Sequence, residues 1–89
     1  LAAIVDAVGD RIEVICDGGI TRGTHVLKAL SVGAKACSGG RLYLYALAAA
    51  GEDGVARAIA LLRAEMERGM KLMGARTLAD LGPDNLRWR

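Results

Sequence analysis

The sequence predicts an α/β fold ordered strand, helix, strand, long helix, and three observations carry that reading. Two short apolar runs each stop at glycines, Ile12 to Cys16 before Asp17-Gly18-Gly19 and Lys35 to Ser38 before Gly39-Gly40. The second begins about two dozen residues after the first, the length a crossover between parallel strands needs. Val55, Ile59, Leu62, Met66, Met70 and Met73 then recur every three or four residues, as on an amphipathic helix.

Taken in order, Leu1-Ala2-Ala3-Ile4-Val5 reads as the middle or end of an apolar element with no capping residue before it. With Leu1 in place of a start methionine, the expectation is a chain cut from something longer. Ile12 to Cys16 is rich in β-branched residues and is entered from Gly9-Asp10, the pattern of a strand buried on both faces of a parallel sheet. Thr24 is the expected N-cap of a short helix through Val26, Leu27 and Leu30, and Gly33 stands where such a helix ends in a left-handed residue. Lys35 to Ser38 forms the second strand. Leu42 to Ala50 is helix-compatible, Gly51 to Gly54 interrupts it, and the long helix follows until Gly74. Its methionines are expected as core filler, and Arg57, Arg63, Glu67 and Lys71 as a solvated face. Residues 1–75 form one segment. Residues 76–89 are a polar tail, punctuated by Gly82-Pro83 and carrying Trp88, expected to lie across a surface or to be partly mobile.

Composition narrows the function classes. With 53% apolar and 25% charged residues in 89, a packed core is expected rather than disorder. The net charge is +2, with twelve basic residues interspersed among ten acidic ones, so no electrostatic footprint for nucleic acid exists. Cys16 and Cys37 each sit in an apolar run without a second Cys or His at metal-ligand spacing, and both read as reduced and structural, with no metal site. No stretch of about 20 uninterrupted apolar residues is present. A soluble, cytoplasmic protein is the default expectation.

The strand ends are where chemistry is expected. In α/β barrels, ligands bind beyond the C-terminal ends of the strands, and the loops after the last two strands build a recurrent phosphate site. Glycines at Gly18, Gly19 and Gly40 let backbone N–H groups approach an anion that a Cβ would block. Arg41 adds a charge-assisted contact to phosphate oxygens, and Asp17 can accept hydrogen bonds from sugar-like hydroxyls or orient its loop.

Asp17-Gly18-Gly19-Ile20, Gly23-Thr24, Val26-Leu27-Lys28-Ala29-Leu30, Gly33-Ala34 and Gly40-Arg41 together resemble the signature around strands 7 and 8 of the FMN-dependent 2-hydroxy-acid dehydrogenases and oxidases. That group includes L-lactate dehydrogenases, glycolate oxidases and mandelate dehydrogenases. The similarity runs on through Leu44-Tyr45-Ala46-Leu47-Ala48-Ala49 and Leu62-Arg63-Ala64-Glu65-Met66 to Leu72-Met73-Gly74, and so covers nearly the whole chain. It implies the C-terminal βαβα quarter, strands 7 and 8 with their helices, of a (β/α)8 TIM barrel. A complete barrel has eight such units in about 250 residues, so both strands here have unpaired edges.

The resemblance further implies FMN, held by Asp17, Gly18, Gly19, Gly40 and Arg41. Where the family usually has two arginines, this chain has Thr21 and Arg22, so either Arg22 substitutes from the adjacent position or Thr21 offers a weaker hydroxyl bond. His25 stands at a position usually acidic, and Leu42 replaces a frequent proline. The family's catalytic histidine and substrate-binding arginine belong to an earlier Ser-Asn-His-Gly-Gly-Arg-like stretch that does not occur here, so His25 is not that base and the 89 residues contain no catalytic group. The implied activity is oxidation of a small L-2-hydroxy acid, such as L-lactate, to the 2-oxo acid. Its implied partners are FMN, the rest of the parent barrel and that substrate, with membrane association left to parts of the parent outside these residues. Two alternatives stand beside it: a relative acting on a peptide-derived redox cofactor of the mycofactocin type, and a ligand-free structural segment that self-associates into homo-oligomers.

Overall fold

A computed structural model describes all residues, 1–89. Helix α1 spans Ala2–Val8, strand β1 Ile15–Asp17, helix α2 Gly23–Val32, strand β2 Ala36–Ser38 and helix α3 Gly40–Met73. Two 3-10 turns follow, at Leu78–Asp80 and Pro83–Asn85. β1 and β2 pair in parallel, with Ile15 opposite Ala36, Cys16 opposite Cys37 and Asp17 opposite Ser38. The predicted order of strand, helix, strand and long helix is therefore present, and the apolar run at the start of the chain forms a helix that precedes it.

Several boundaries differ from expectation, each for a physical reason. β1 is three residues long, because Ile12 and Glu13 lie before the pairing with β2 starts. It is not covered on both faces: Val14 is buried and Cys16 half-buried, whereas Ile15 is 64% exposed. A two-stranded sheet with its helices on one side covers alternate residues only.

Helix α2 begins at Gly23, one residue before the predicted cap. Arg22 occupies the N-cap position in extended conformation without a side-chain cap, so Thr24 does not cap the helix. With the helix starting one residue earlier, the N–H left free at its first position is that of Gly23, and it donates to Glu65 Oε2 of α3 at 3.1 Å. At its other end, Gly33 has φ +128° and donates to the carbonyls of Ala29 and Leu30, so it closes the helix at the positive φ its sequence position called for.

Helix α3 is broken only at Ala50 and Gly51, a shorter interruption than the expected Gly51 to Gly54, because the chain is helical again from Glu52. Ala50 lies at φ −151° and Gly51 at φ 61°, ψ −142°, a conformation open to glycine and strained for other residues. The second half packs on α2 through a closer approach than side chains permit. A Cβ on Gly69 would lie 2.5 Å from Leu27 Cδ1, and one on Gly23 would lie 2.7 Å from both the Leu62 carbonyl oxygen and the Met66 nitrogen. Met66 and Met70 are half-buried against this contact, but Ile59 and Met73 face outward, contrary to their place in the periodic pattern. The opposite face is solvated as expected and carries an exposed Arg63–Glu67 ion pair at 3.0 Å. Gly74 ends the helix in the left-handed region at φ 76°.

The core centres on α2: Val14, Ile20, Val26, Leu27, Ala29 and Ala34 are buried. Only eight of 89 residues are buried, while Ile4, Ile15, Tyr45, Ile59 and Leu72 are among the large apolar side chains that face outward. Surface of this kind is what an α/β layer presents to further layers. The C-terminal residues are structured. Asp80 Oδ2 accepts from the N–H groups of Arg76 and Thr77 at 2.9 and 3.0 Å, and these bonds hold its carboxyl below the usual carboxylate range. The second 3-10 turn then packs on α2.

Candidate functional site: an open cleft at two strand ends

Both strands run out at the same end of the sheet, because they are parallel and Asp17 is level with Ser38. Beyond Asp17 the chain turns through Gly18 at φ +100° and Gly19 at φ +73°, two successive positive φ values that glycine adopts without strain. Ile20, buried, anchors the far side of this turn. Beyond Ser38, Gly39 takes the N-cap position of α3 with no side-chain cap, and Gly40 and Arg41 open the helix. A cleft of about 420 Å³ lies between the two loops, lined by Asp17, Gly18, Gly19, Thr21, Gly40 and Arg41 together with Ile20, Ser38 and Leu42.

This arrangement suits an anion. A Cβ placed on Gly18, Gly19 or Gly40 would meet no atom within 4 Å, so the space above these backbones is open and only the absence of side chains keeps it so. The first turn of α3 contains no acidic residue. Its free N–H groups and partial positive charge would favour a negative ligand, with Arg41 beside them in the lining. Asp17 is the one carboxylate in the lining and supplies an acceptor for hydroxyl groups.

Of the seven residues proposed from sequence, six line this cleft and Arg22 does not. Its Nε donates to Glu65 Oε1 and Oε2 at 3.0 and 2.9 Å. The hydrogen bond and charge of Glu65 raise the Arg22 pKa; the bond to Arg22, ahead of that to the Gly23 N–H, lowers that of Glu65. Glu65 was legible only as one letter of a family-like string. No local pattern marks it as a partner for residues more than forty positions earlier. Ile20, Ser38 and Leu42 line the cleft as well and were not among those seven.

His25 does not enter the cleft. Its Nδ1 accepts from the Thr21 N–H at 3.2 Å and lies 3.3 Å from the Thr21 hydroxyl, which fixes Thr21 from behind. The ring instead borders a larger cleft of about 750 Å³ between α1, α2 and the C-terminal Leu86 and Trp88. That space is walled mostly by apolar side chains and lacks glycine-lined backbone, so it offers little to a phosphate. Cys16 and Cys37 are free thiols, and burial, followed by the neighbouring Cys16, pushes the Cys37 thiol up. No group of three or more His, Cys, Asp or Glu is gathered as metal ligands. No helix is long and apolar enough to cross a membrane.

Comparison with known proteins identifies the family. The sequence pattern of the FMN-dependent dehydrogenases matches residues 1–88. L-lactate dehydrogenase (cytochrome) of Saccharomyces cerevisiae is 51% identical over 77 residues, which are 86% of this chain and 13% of that protein. Pre-mycofactocin synthase of Mycolicibacterium smegmatis is 42% identical over 97% of this chain and 22% of its own length. Among solved structures, flavocytochrome b2 with pyruvate bound superposes with a TM-score of 0.84 at 46% identity, over 93% of this chain and 22% of that one. The monotopic membrane protein (S)-mandelate dehydrogenase superposes at 0.91 with 40% identity, over 98% of this chain and 23% of that one. The chain thus spans less than a quarter of the length of each of these relatives. A family match over essentially every residue, and superposition on flavoenzymes at 40% identity or more, agree with the cleft: this chain belongs to the FMN-dependent dehydrogenase family, whose cofactor is FMN.

Proposed function

We propose that these residues form the phosphate-holding corner of an FMN site in an enzyme that oxidises a small L-2-hydroxy acid, such as L-lactate, to the 2-oxo acid. The observation that carries this is the glycine-walled cleft at the two strand ends, with Arg41 and the uncapped start of α3 turned to it. Gly18, Gly19 and Gly40 bring backbone close to the phosphate, Arg41 pairs with its oxygens, Thr21 offers a hydroxyl, and Asp17 accepts from the ribityl chain. Arg22, occupied by Glu65, supports this corner from outside the lining. FMN when bound supplies the hydride acceptor. The protein residues here bind and orient; none of them removes the substrate's proton, and His25 is committed to Thr21.

In this reading residues 1–75 are the strand 7 and strand 8 quarter of a (β/α)8 barrel, residues 76–89 are its tail, and the exposed apolar faces pack on the remainder of the barrel. The segment by itself is inactive, and its parent is cytoplasmic or associates with a membrane through other residues. The similarity to pre-mycofactocin synthase supports a second reading for the substrate, a peptide-derived redox cofactor at the same flavin.

The test is flavin affinity in the full-length protein, with FMN compared against riboflavin, which lacks the phosphate. Arg41→Ala removes a charge-assisted contact and is expected to weaken FMN about tenfold or more while leaving riboflavin unchanged. Equal affinities for FMN and riboflavin in the unaltered protein would refute the assignment. Turnover of L-lactate against other 2-hydroxy acids and the peptide-derived cofactor then separates the two substrate readings.

A further inference from the structure

The support for the cleft comes from an unexpected place. Helix α2 starts directly after the Asp17–Thr21 turn and has no side-chain cap of its own. Uncapped N–H groups at a helix start are ordinarily satisfied by a local Ser, Thr, Asp or Asn. Here a carboxylate from the second half of α3 does this work. Glu65 Oε2 accepts from the Gly23 N–H at 3.1 Å and from Arg22 Nε at 2.9 Å, and Oε1 accepts from the same Nε at 3.0 Å. The Glu65 side chain is 23% exposed, against 65% for Arg22, so the carboxylate sits inward and the guanidinium lies over it. Gly23 permits this: a Cβ there would lie 2.5 Å from Glu65 Cβ.

Thr21 and Arg22 are adjacent, yet they face different ways, one lining the cleft and the other held on α3. The clamp on Arg22 and Gly23 thus fixes the point where the loop leaves the cleft. From the other direction, His25 Nδ1 holds Thr21 by its N–H.

We infer that Glu65 is a positioning residue for the phosphate cleft: without touching the ligand, it pins the exit of the Asp17–Thr21 loop to α3 and keeps Arg22 out of the lining. This rests on the phosphate-cleft reading above. It predicts an effect confined to the part of the ligand that the loop holds.

The experiment titrates the full-length protein and its Glu65→Ala, Glu65→Gln and Arg22→Ala variants with FMN and with riboflavin, alongside thermal unfolding of each. Glu65→Ala is expected to weaken FMN roughly tenfold, the low end of the change for losing a charge-assisted hydrogen bond, with riboflavin affinity held within about twofold. Glu65→Gln keeps an oxygen for the Gly23 N–H and loses the ion pair, so its FMN affinity falls between the two. Being nearly isosteric, it also covers the case in which the alanine variant does not fold. Arg22→Ala, which leaves the Gly23 bond intact, weakens FMN less than Glu65→Ala. Loss of FMN and riboflavin affinity in equal proportion in the Gln variant would show a general structural role and overturn the inference, as would unchanged FMN affinity. If the unaltered protein already fails to prefer FMN over riboflavin, the phosphate-cleft reading falls first and takes this inference with it.

Discussion

Replacing Gly23 by alanine sets two opposing effects against each other at one atom. Gly23 opens α2, and alanine in a helix is favoured over glycine by about 0.5–1 kcal/mol, so propensity alone predicts a more stable protein. The added methyl would sit 2.5 Å from Glu65 Cβ and 2.7 Å from two backbone atoms of α3, the Leu62 oxygen and the Met66 nitrogen. Overpacking of this kind costs about 1–3 kcal/mol, and the upper part of that range applies where rigid helical backbone must move. The net expectation is a loss of about 2 kcal/mol in the free energy of unfolding, read from urea denaturation monitored by circular dichroism. Gly69→Ala is the internal control. Its methyl would press on one side chain alone, 2.5 Å from the Cδ1 tip of Leu27 and 4.0 Å from its Cγ, so the steric cost and the propensity gain offset to within about 1 kcal/mol. A Gly23→Ala protein as stable as its parent, or one no less stable than Gly69→Ala, would refute the claim that α2 and α3 meet backbone to backbone.

The kink in α3 makes a second prediction: Gly51→Ala forces a non-glycine residue into φ 61°, ψ −142° and is expected to cost about 1–3 kcal/mol in the same denaturation measurement. The pH dependence of stability follows from Glu65 and Asp80, whose pKa values are lowered in the fold, Glu65 chiefly by Arg22 and Asp80 by the Thr77 and Arg76 N–H groups. A carboxylate with a depressed folded pKa contributes stability above its unfolded value of about 4, and that contribution is lost as pH falls through the folded one. Thermal unfolding followed from pH 6 downward should therefore show melting temperatures falling below about pH 4, with a shallower fall in the Glu65→Gln and Asp80→Asn variants.

What the sequence made legible was set by how local each cause is. The two strands, the helix between them and its end at Gly33 rest on neighbouring residues, and the glycine pairs at both strand ends marked the cleft. The break at Gly51 was visible because glycine interrupts a helical pattern in its own neighbourhood. The start of α2 was misplaced at Thr24 because its real cap is Glu65, brought by tertiary packing that no spacing rule encodes. The same cause hid the fate of Arg22. Burial of β1 on both faces was overestimated because its apolar run reports what a strand can bury, whereas exposure depends on which layers surround it.

The reach of α3 has a consequence for which lengths of chain are permissible. One helix supplies Gly40 and Arg41 to the cleft at its start and the carboxylate that clamps α2 at Glu65, so the interval between them is a measured spacer. A single residue inserted between Gly51 and Glu65 would turn the carboxylate by about 100° and advance it about 1.5 Å along the axis, swinging it away from the Gly23 N–H. Gaps and insertions in that interval are then constrained by helical phase, even though most of its side chains face solvent. Changes of length are accommodated beyond Gly74, where no distance to the cleft has to be kept.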